Sequence, residues 1–218
     1  MSDINDKQRE NVISSFELIL TNACAEAEIA GLMGARGFPK ERVEEGLALV
    51  RAARTAHHAR KAEMGTQLQA MVAFNQAFAA ANKAYIDFRE VARAHFQSSK
   101  VSPTVWQALD LDAKVPQDTL GFISAAYATF DNALAHSTIV AALAPYGYTA
   151  EKISEARAFV SVAEKASQFQ ERVRGVTLHA AVDQEQAYLA IKAWMNAFKR
   201  VARRTLQGRA DLLARLGM

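Results

Sequence analysis

The chain has 218 residues, half of them apolar, and a formal net charge of +3 from 26 basic and 23 acidic side chains. That length can bury a proper core, and so small a basic excess points to solubility rather than to an obligatory polyanionic partner. A single cysteine, Cys24, excludes an internal disulfide; no apolar run approaches the roughly 18 residues of a membrane span; and the polar start MSDINDKQREN is unlike a signal peptide, so a cytoplasmic protein is expected.

Alanine is abundant and Gly and Pro are sparse, which favours helix because alanine loses no side-chain entropy there. The expected fold is all-α with more than about 75% helix, against roughly one-third in an average globular protein. Residues 1–7 are polar and read as frayed. From about Gln8 to Gly34, the residues Ile13, Phe16, Leu20, Ala23, Ala27 and Ala30 step by threes and fours, the signature of one helical face. Gly34 and Gly37 supply the stop, since glycine accepts the left-handed conformation that ends helices. Pro39 suits a first helical turn, and Glu41, Glu44 and Glu45 suit the positive end of the dipole.

A very long helix is then expected over about 40–97. Gly65 is its one plausible breaker, and Thr66 with Gln69 could form a capping box for a hairpin. Ser98-Ser99 ends the segment, Ser102-Pro103 reads as N-cap and first residue of a short helix through Leu109, and 112–117 (DAKVPQ) is a linker leading to the cap Asp118. Beyond it, Ile123, Ala126, Phe130, Ala133, Ser137 and Val140 form a second seam, Gly147 a second stop and Thr149 a second cap.

The plan recurs because the sequence does. The stretch beginning GFPKERVEEGLALVRAAR at Gly37 aligns without a gap on GYTAEKISEARAFVSVAE at Gly147, 110 positions later. Extended back to Gln8 and Asp118, roughly 25 of about 90 aligned pairs are identical, the mark of an internal repeat. Two repeat units, 1–111 and 112–218, are expected to pack as one elongated pseudo-two-fold bundle. Each would hold a helix of about 27 residues, a very long helix (about 40–97 and 149–207) and a short terminal helix. The second copy favours continuity over the hairpin. Val176 replaces the capping Thr66, and one heptad frame (Phe159, Val162, Ala166, Phe169, Val173, Val176, Ala180) runs straight through Gly175. It resumes at Ala187, Ala190, Trp194, Ala197 and Val201. A continuous helix leaves Gly65 and Gly175 to be explained, since mid-helix glycine costs about 1 kcal/mol against alanine. Close backbone approach where the long helices cross is the expected reason.

The runs YGYTAEKI, TFDNALAH and the closing LLARLGM together resemble an uncharacterised group of bacterial proteins, similarly duplicated and all-helical. The resemblance covers most of the chain and implies the fold, with no activity, ligand or active site attached.

Candidate chemistry is sparse. A ferritin-like metal centre needs Glu three residues before His, but the residues at that position are Arg54, Thr55, Ala92, Ala133 and Val176. Glu26 and Glu28 align with His136 and Thr138, so no site is duplicated. His57 and His58 are adjacent, point about 100° apart on a helix and read as a solvated stretch. Tyr127, Asp131 and His136 do not share a face. No metal, cofactor or catalytic residue is expected. Lys199, Arg200, Arg203, Arg204, Arg209 and Arg215 form the densest basic cluster, without the interleaved aromatics of a single-strand binder. Both copies retain Ser14/Ser124, Asn22/Asn132, Glu41/Glu151, Glu45/Glu155, Gln76/Gln186, Arg93/Arg203 and Gln97/Gln207, besides Gly37/Gly147 and Gly65/Gly175. Asn22 and Asn132 read as partly buried, register-setting side chains. The function this suggests is a non-enzymatic scaffold for protein partners or self-association. The alternatives are an apolar-ligand binder or enzyme with a cavity lined by Phe74, Phe78, Tyr85, Phe88, Tyr188, Trp194 and Met195, and nucleic-acid binding through the basic stripe.

Overall fold

A computed structural model describes the backbone of residues 2–97, 100 and 102–218, with side chains from residue 7 onward. It is 86% helical, with eight α-helices and no strand among the described residues. In order these are α1 (Ser2–Ala25), α2 (Ala27–Gly34), α3 (Lys40–Phe96), α4 (Pro103–Ala108), α5 (Thr119–Ala135), α6 (Ser137–Leu143), a 3-10 turn (Ala144–Tyr146), α7 (Ala150–Thr205) and α8 (Ala210–Leu216). α1 starts earlier than the expected Gln8. The expected stop at Ser98-Ser99 lies outside the described residues.

Two compact units form, and they do not follow the repeat boundary at 111/112. One takes the chain up to Gly65 together with Gly175–Met218; the other is Thr66–Arg174. The buried side chains dictate this division. In the first unit, Ile13, Phe16, Ile19 and Leu20 of α1 and Val43, Val50 and Ala53 of α3 share a core with Ile191, Met195, Phe198 and Ala202 of α7. In the second, Tyr85, Phe88 and Ala92 of α3 share a core with Phe122, Ala126 and Phe130 of α5 and Ile153, Val160 and Ala163 of α7. Each fully buried Phe, Leu or Ile contributes about 1.5–3 kcal/mol relative to exposure. The burial pattern recurs at the repeat offset: Ile13 and Ile123, Ala23 and Ala133, Ile29 and Ile139, Val50 and Val160, Phe88 and Phe198 are all buried.

α3 and α7 are continuous helices of 57 and 56 residues. Gly65 and Gly175 have no left-handed φ, so the hairpin is excluded. The close-approach explanation fails too, because a Cβ built on either glycine meets nothing within 4 Å. The heptad frame that argued for continuity matches the buried face of α7 only in part: Val173 is buried, and Ala187, Trp194 and Val201 pack against the core. The buried apolar residues are Ile153, Ala156, Val160, Ala163, Val173, Ile191, Met195, Phe198 and Ala202, whereas Phe159, Val162, Phe169 and Val176 are 39, 55, 45 and 47% exposed. Alanine-rich helices present several apolar stripes, and periodicity alone does not choose between neighbouring ones.

The first helix of each repeat is broken rather than continuous. Glu26 (φ −89°, ψ 103°) separates α1 from α2, and His136 (φ −112°, ψ 97°) separates α5 from α6 at the same repeat position. The break forfeits a few backbone hydrogen bonds worth roughly 0.5–1.5 kcal/mol each. It re-phases the chain so that Ile29 and Met33, and Ile139 and Leu143, are buried in the core while Ala27 and Ser137 stay exposed, and that burial offsets the loss. The stops are as expected. Gly37 and Gly147 take φ of 85° and 88°, and the next amides reach back to Met33 O (3.0 Å) and Leu143 O (3.2 Å), closing each helix in a Schellman-type turn. Asp118 Oδ1 accepts from Gly121 N at 2.7 Å and Thr149 Oγ1 from Lys152 N at 3.3 Å, so both caps form. Ser102 stands at the N-cap of α4 without a side-chain cap bond.

Candidate functional site

The retained asparagines have a structural task. Asn22 Nδ2 donates to Arg215 O at 2.9 Å, and Asn132 Nδ2 donates to Ala108 O at 2.7 Å. Each therefore satisfies an orphan carbonyl at the end of a short helix, α8 or α4. Asn132 is exposed rather than partly buried, so the bond, not burial, sets the position. Gln76 and Gln186 are both exposed, and nothing in the structure explains their retention.

Arg89 carries no signal in the repeat pattern, yet it is 2% exposed. Its guanidinium donates to the carbonyls of Asp110 (2.9 Å), Leu111 (3.2 Å) and Ala113 (2.7 Å) and to Tyr85 Oη (3.2 Å). Arg93 Nε adds a bond to Leu111 O at 2.9 Å. Together they tie down the stretch leaving α4, where Asp110 takes a positive φ of 51°. At the equivalent position of the second repeat, Lys199 instead lies over the Phe16 ring at 4.8 Å.

The groups considered for catalysis resolve into pairs. His57 is 5% exposed rather than solvated, because Gln184 Nε2 donates to its Nδ1 at 2.7 Å. Tyr127 donates to Glu164 at 2.8 Å, and Asp131 pairs with Arg157, whose guanidinium also covers the Tyr127 ring. Burial first, and the Glu164 carboxylate second, hold the Tyr127 phenol above its usual range. Glu26 and Glu28, weighed as metal ligands, pair with Arg215 and Arg209 of α8. No cluster of three His, Cys, Asp or Glu side chains that could hold a metal ion occurs among the described residues. Cys24 is half-buried, and its thiol is raised chiefly by that burial. The aromatics expected to line one cavity fall into different units and pack into each unit's own core. Tyr85 and Phe88 meet Phe130 at 6.0 and 5.3 Å, and Trp194 stacks on Phe198 at 5.5 Å.

Two of the surface concavities bear on binding. Lys199, Arg200, Arg203 and Arg204 do converge, with Asn196 and Gln207, on a shallow concavity of about 690 Å³. Burial, then Arg203, lowers the Lys199 ammonium. Arg209 and Arg215, counted with this cluster in the sequence, are neutralised by ion pairs.

The second feature is a groove of about 280 Å³ in the Thr66–Arg174 unit. Its floor is apolar, from Ala80 and Ala84 on α3 and Ala156 on α7, and Tyr148 and Phe159 form walls. Its rim carries two closed ion pairs, Lys83–Asp87 at 2.5 Å and Lys152–Glu155 at 2.7 Å. The Tyr148 ring stands edge-on to Phe88 at 5.2 Å. Its phenol is raised by burial and then by the Asp87 carboxylate.

No family model, no curated protein and no solved structure matches this chain. No described helix is long and apolar enough to cross a membrane.

Proposed function

We propose that the protein is a non-enzymatic helical scaffold that binds protein partners, or further copies of itself, through apolar surface on its long helices. The observation that carries this is a pair of exposed apolar positions kept in both halves of the sequence. Leu68 and Val72 are 58 and 45% exposed on α3, and their repeat counterparts Leu178 and Val182 are 63 and 53% exposed on α7. Folding does not require these side chains to be apolar, and contiguous apolar patches at the surface, such as Leu68, Met71 and Val72 within one helical turn, mark interaction sites. The aromatics Tyr85, Phe88, Phe130 and Phe198 are packed in the two cores, and no acid–base or metal constellation accompanies them among the described residues, which favours this reading over an enzyme. The basic stripe supports nucleic-acid binding less well, because Lys199 is engaged with Phe16 and no aromatic platform interleaves with the arginines.

The same reading takes the chain as a tandem duplication, like the bacterial group it resembles, acting in the cytoplasm. Its support is the recurrence of buried positions, broken helices, glycine stops and asparagine bonds. Paired contacts that exchange chemistry add to it: Glu17–Arg54 at 2.6 Å occupies the place that Tyr127–Glu164 takes in the second repeat. Sedimentation velocity and in-cell cross-linking test the scaffold, comparing wild type with L68Q/V72Q/L178Q/V182Q. The variant is expected to keep its melting temperature and lose its associations. An unchanged assembly state and cross-linking pattern would refute the proposal.

A further inference from the structure

The groove in the Thr66–Arg174 unit has a filled counterpart. In the repeat alignment Ala84 corresponds to Trp194, Ala156 to Gly46 and Tyr148 to Phe38. In the unit that holds Trp194, its six-membered ring lies directly on Gly46, so closely that a Cβ there would sit 2.6 Å from Cη2. Phe38 meets the indole edge-on at 5.5 Å. In the other unit alanine stands at both positions, and the tyrosine that corresponds to Phe38 looks onto open space of about 280 Å³. An aromatic wall is kept as Tyr148 for Phe38, and Ala80 and Glu155 match Ala190 and Glu45, while the ring is absent.

We propose that this groove receives a planar aromatic side chain of tryptophan size, presented by a partner protein; the partner half of this inference rests on the scaffold reading. Trp194 shows the class of occupant that two facing helices and an edge-on aromatic hold. Ala156 carries the Cβ that Gly46 lacks, which in the pose of Trp194 would stand 2.6 Å from the ring, so a guest ring sits farther out, in the space left by the small side chain of Ala84. The rim selects for a ring carried on a chain rather than for a free amino acid. Lys83–Asp87 and Lys152–Glu155 are closed pairs, so no unpaired charge waits for an α-carboxylate or α-ammonium group. Apolar surface also continues from Phe159 to Val162, one helical turn along α7, beyond the reach of a single ring and available to the flanking residues of a peptide.

Two measurements test this. N-acetyl-L-tryptophanamide is titrated into protein labelled at the alanine methyls. Shifts confined to Ala80, Ala84 and Ala156 are expected, and the shift of Ala80, the methyl that remains, should vanish in A84W/A156G, which rebuilds the filled arrangement. A84L, a smaller plug, serves as the second variant and is expected to weaken binding about tenfold, the loss typical of blocking a buried anchor. Absence of shifts, or shifts that persist in both variants, would overturn the site and leave the Leu68/Leu178 test of the scaffold untouched. Displayed random peptides are then selected on wild type and counter-selected on A84W/A156G. Peptides anchored by one aromatic residue, whose change to alanine costs about tenfold or more, support the partner. Selected peptides without such a residue would overturn that half and leave a free aromatic compound as the source.

Discussion

Replacing Gly65 and Gly175 by alanine is expected to stabilise the protein. Both residues are exposed in the middle of long helices, have no left-handed φ, and have nothing within 4 Å of a built Cβ. Nothing is therefore subtracted from the intrinsic preference for alanine over glycine in a helix interior, about 1 kcal/mol per site, much of it from the reduced freedom of the unfolded chain. With no contact to share, the two changes should add, giving about 2 kcal/mol. In a chain of this size each kcal/mol moves Tm by about 2–4 °C, so the double variant should melt roughly 4–8 °C higher. Gly46→Ala provides the control on α3, with the opposite sign. Its Cβ would press on the Trp194 ring, and over-packing of that kind costs about 1–3 kcal/mol. Thermal and urea unfolding followed by circular dichroism measure all three. A Tm at or below wild type for G65A/G175A would refute the reasoning and show that the mid-helix glycines are needed after all.

Arg89→Met should destabilise by about 1–3 kcal/mol or more, since it leaves buried backbone carbonyls without their donor; urea unfolding would contradict this with a loss under about 1 kcal/mol. Asn22→Ala and Asn132→Ala should each cost about 1 kcal/mol and raise amide exchange in α8 and α4 respectively; exchange unchanged in those helices would show the carbonyls are satisfied otherwise. Lys199, Arg203 and Arg204 changed together to alanine should alter stability little: the exposed Arg203 and Arg204 contribute under about 1 kcal/mol each, and half-buried Lys199 adds about 0.5–1 kcal/mol from its contact with the Phe16 ring. No salt-sensitive binding to duplex DNA is expected, and micromolar binding abolished by the triple change would overturn that. The Arg54 bond lowers the Glu17 carboxyl, so the folded state holds fewer protons than the unfolded state near that pKa. The stabilisation is therefore full above the unfolded pKa and fades as pH falls through the folded one. Denaturation of wild type and Glu17→Gln should differ at neutral pH and converge in acid; a constant difference would rule the pair out.

The helical class, the stops at Gly37 and Gly147 and the caps at Asp118 and Thr149 were legible because each rests on local backbone chemistry. Continuity through Gly65 was legible from Val176 in the second copy, but the buried face of α7 was legible only in part, at Val173, Ala187, Trp194 and Val201. Phe159 and Val160 are neighbours of similar hydropathy, and only packing decides which turns inward. The breaks at Glu26 and His136 had no glycine or proline to announce them, since the gain lies in the distant core reached by Ile29 and Ile139. The groove was invisible in either copy alone: an alanine at position 84 says nothing until Trp194 shows what such a site can hold.

The two compact units also impose an order on how the chain matures at the ribosome. Residues 66–174 are contiguous, so that unit can close as soon as they have emerged. The other must join α1, α2 and the first part of α3 to a segment that starts at Gly175. At roughly 5–20 residues per second, Ile13, Phe16 and Leu20 wait several seconds to tens of seconds for Ile191, Met195 and Phe198. During that interval α1 is an apolar helix without its core, the stage at which a nascent chain is most open to chaperones or to a neighbouring copy.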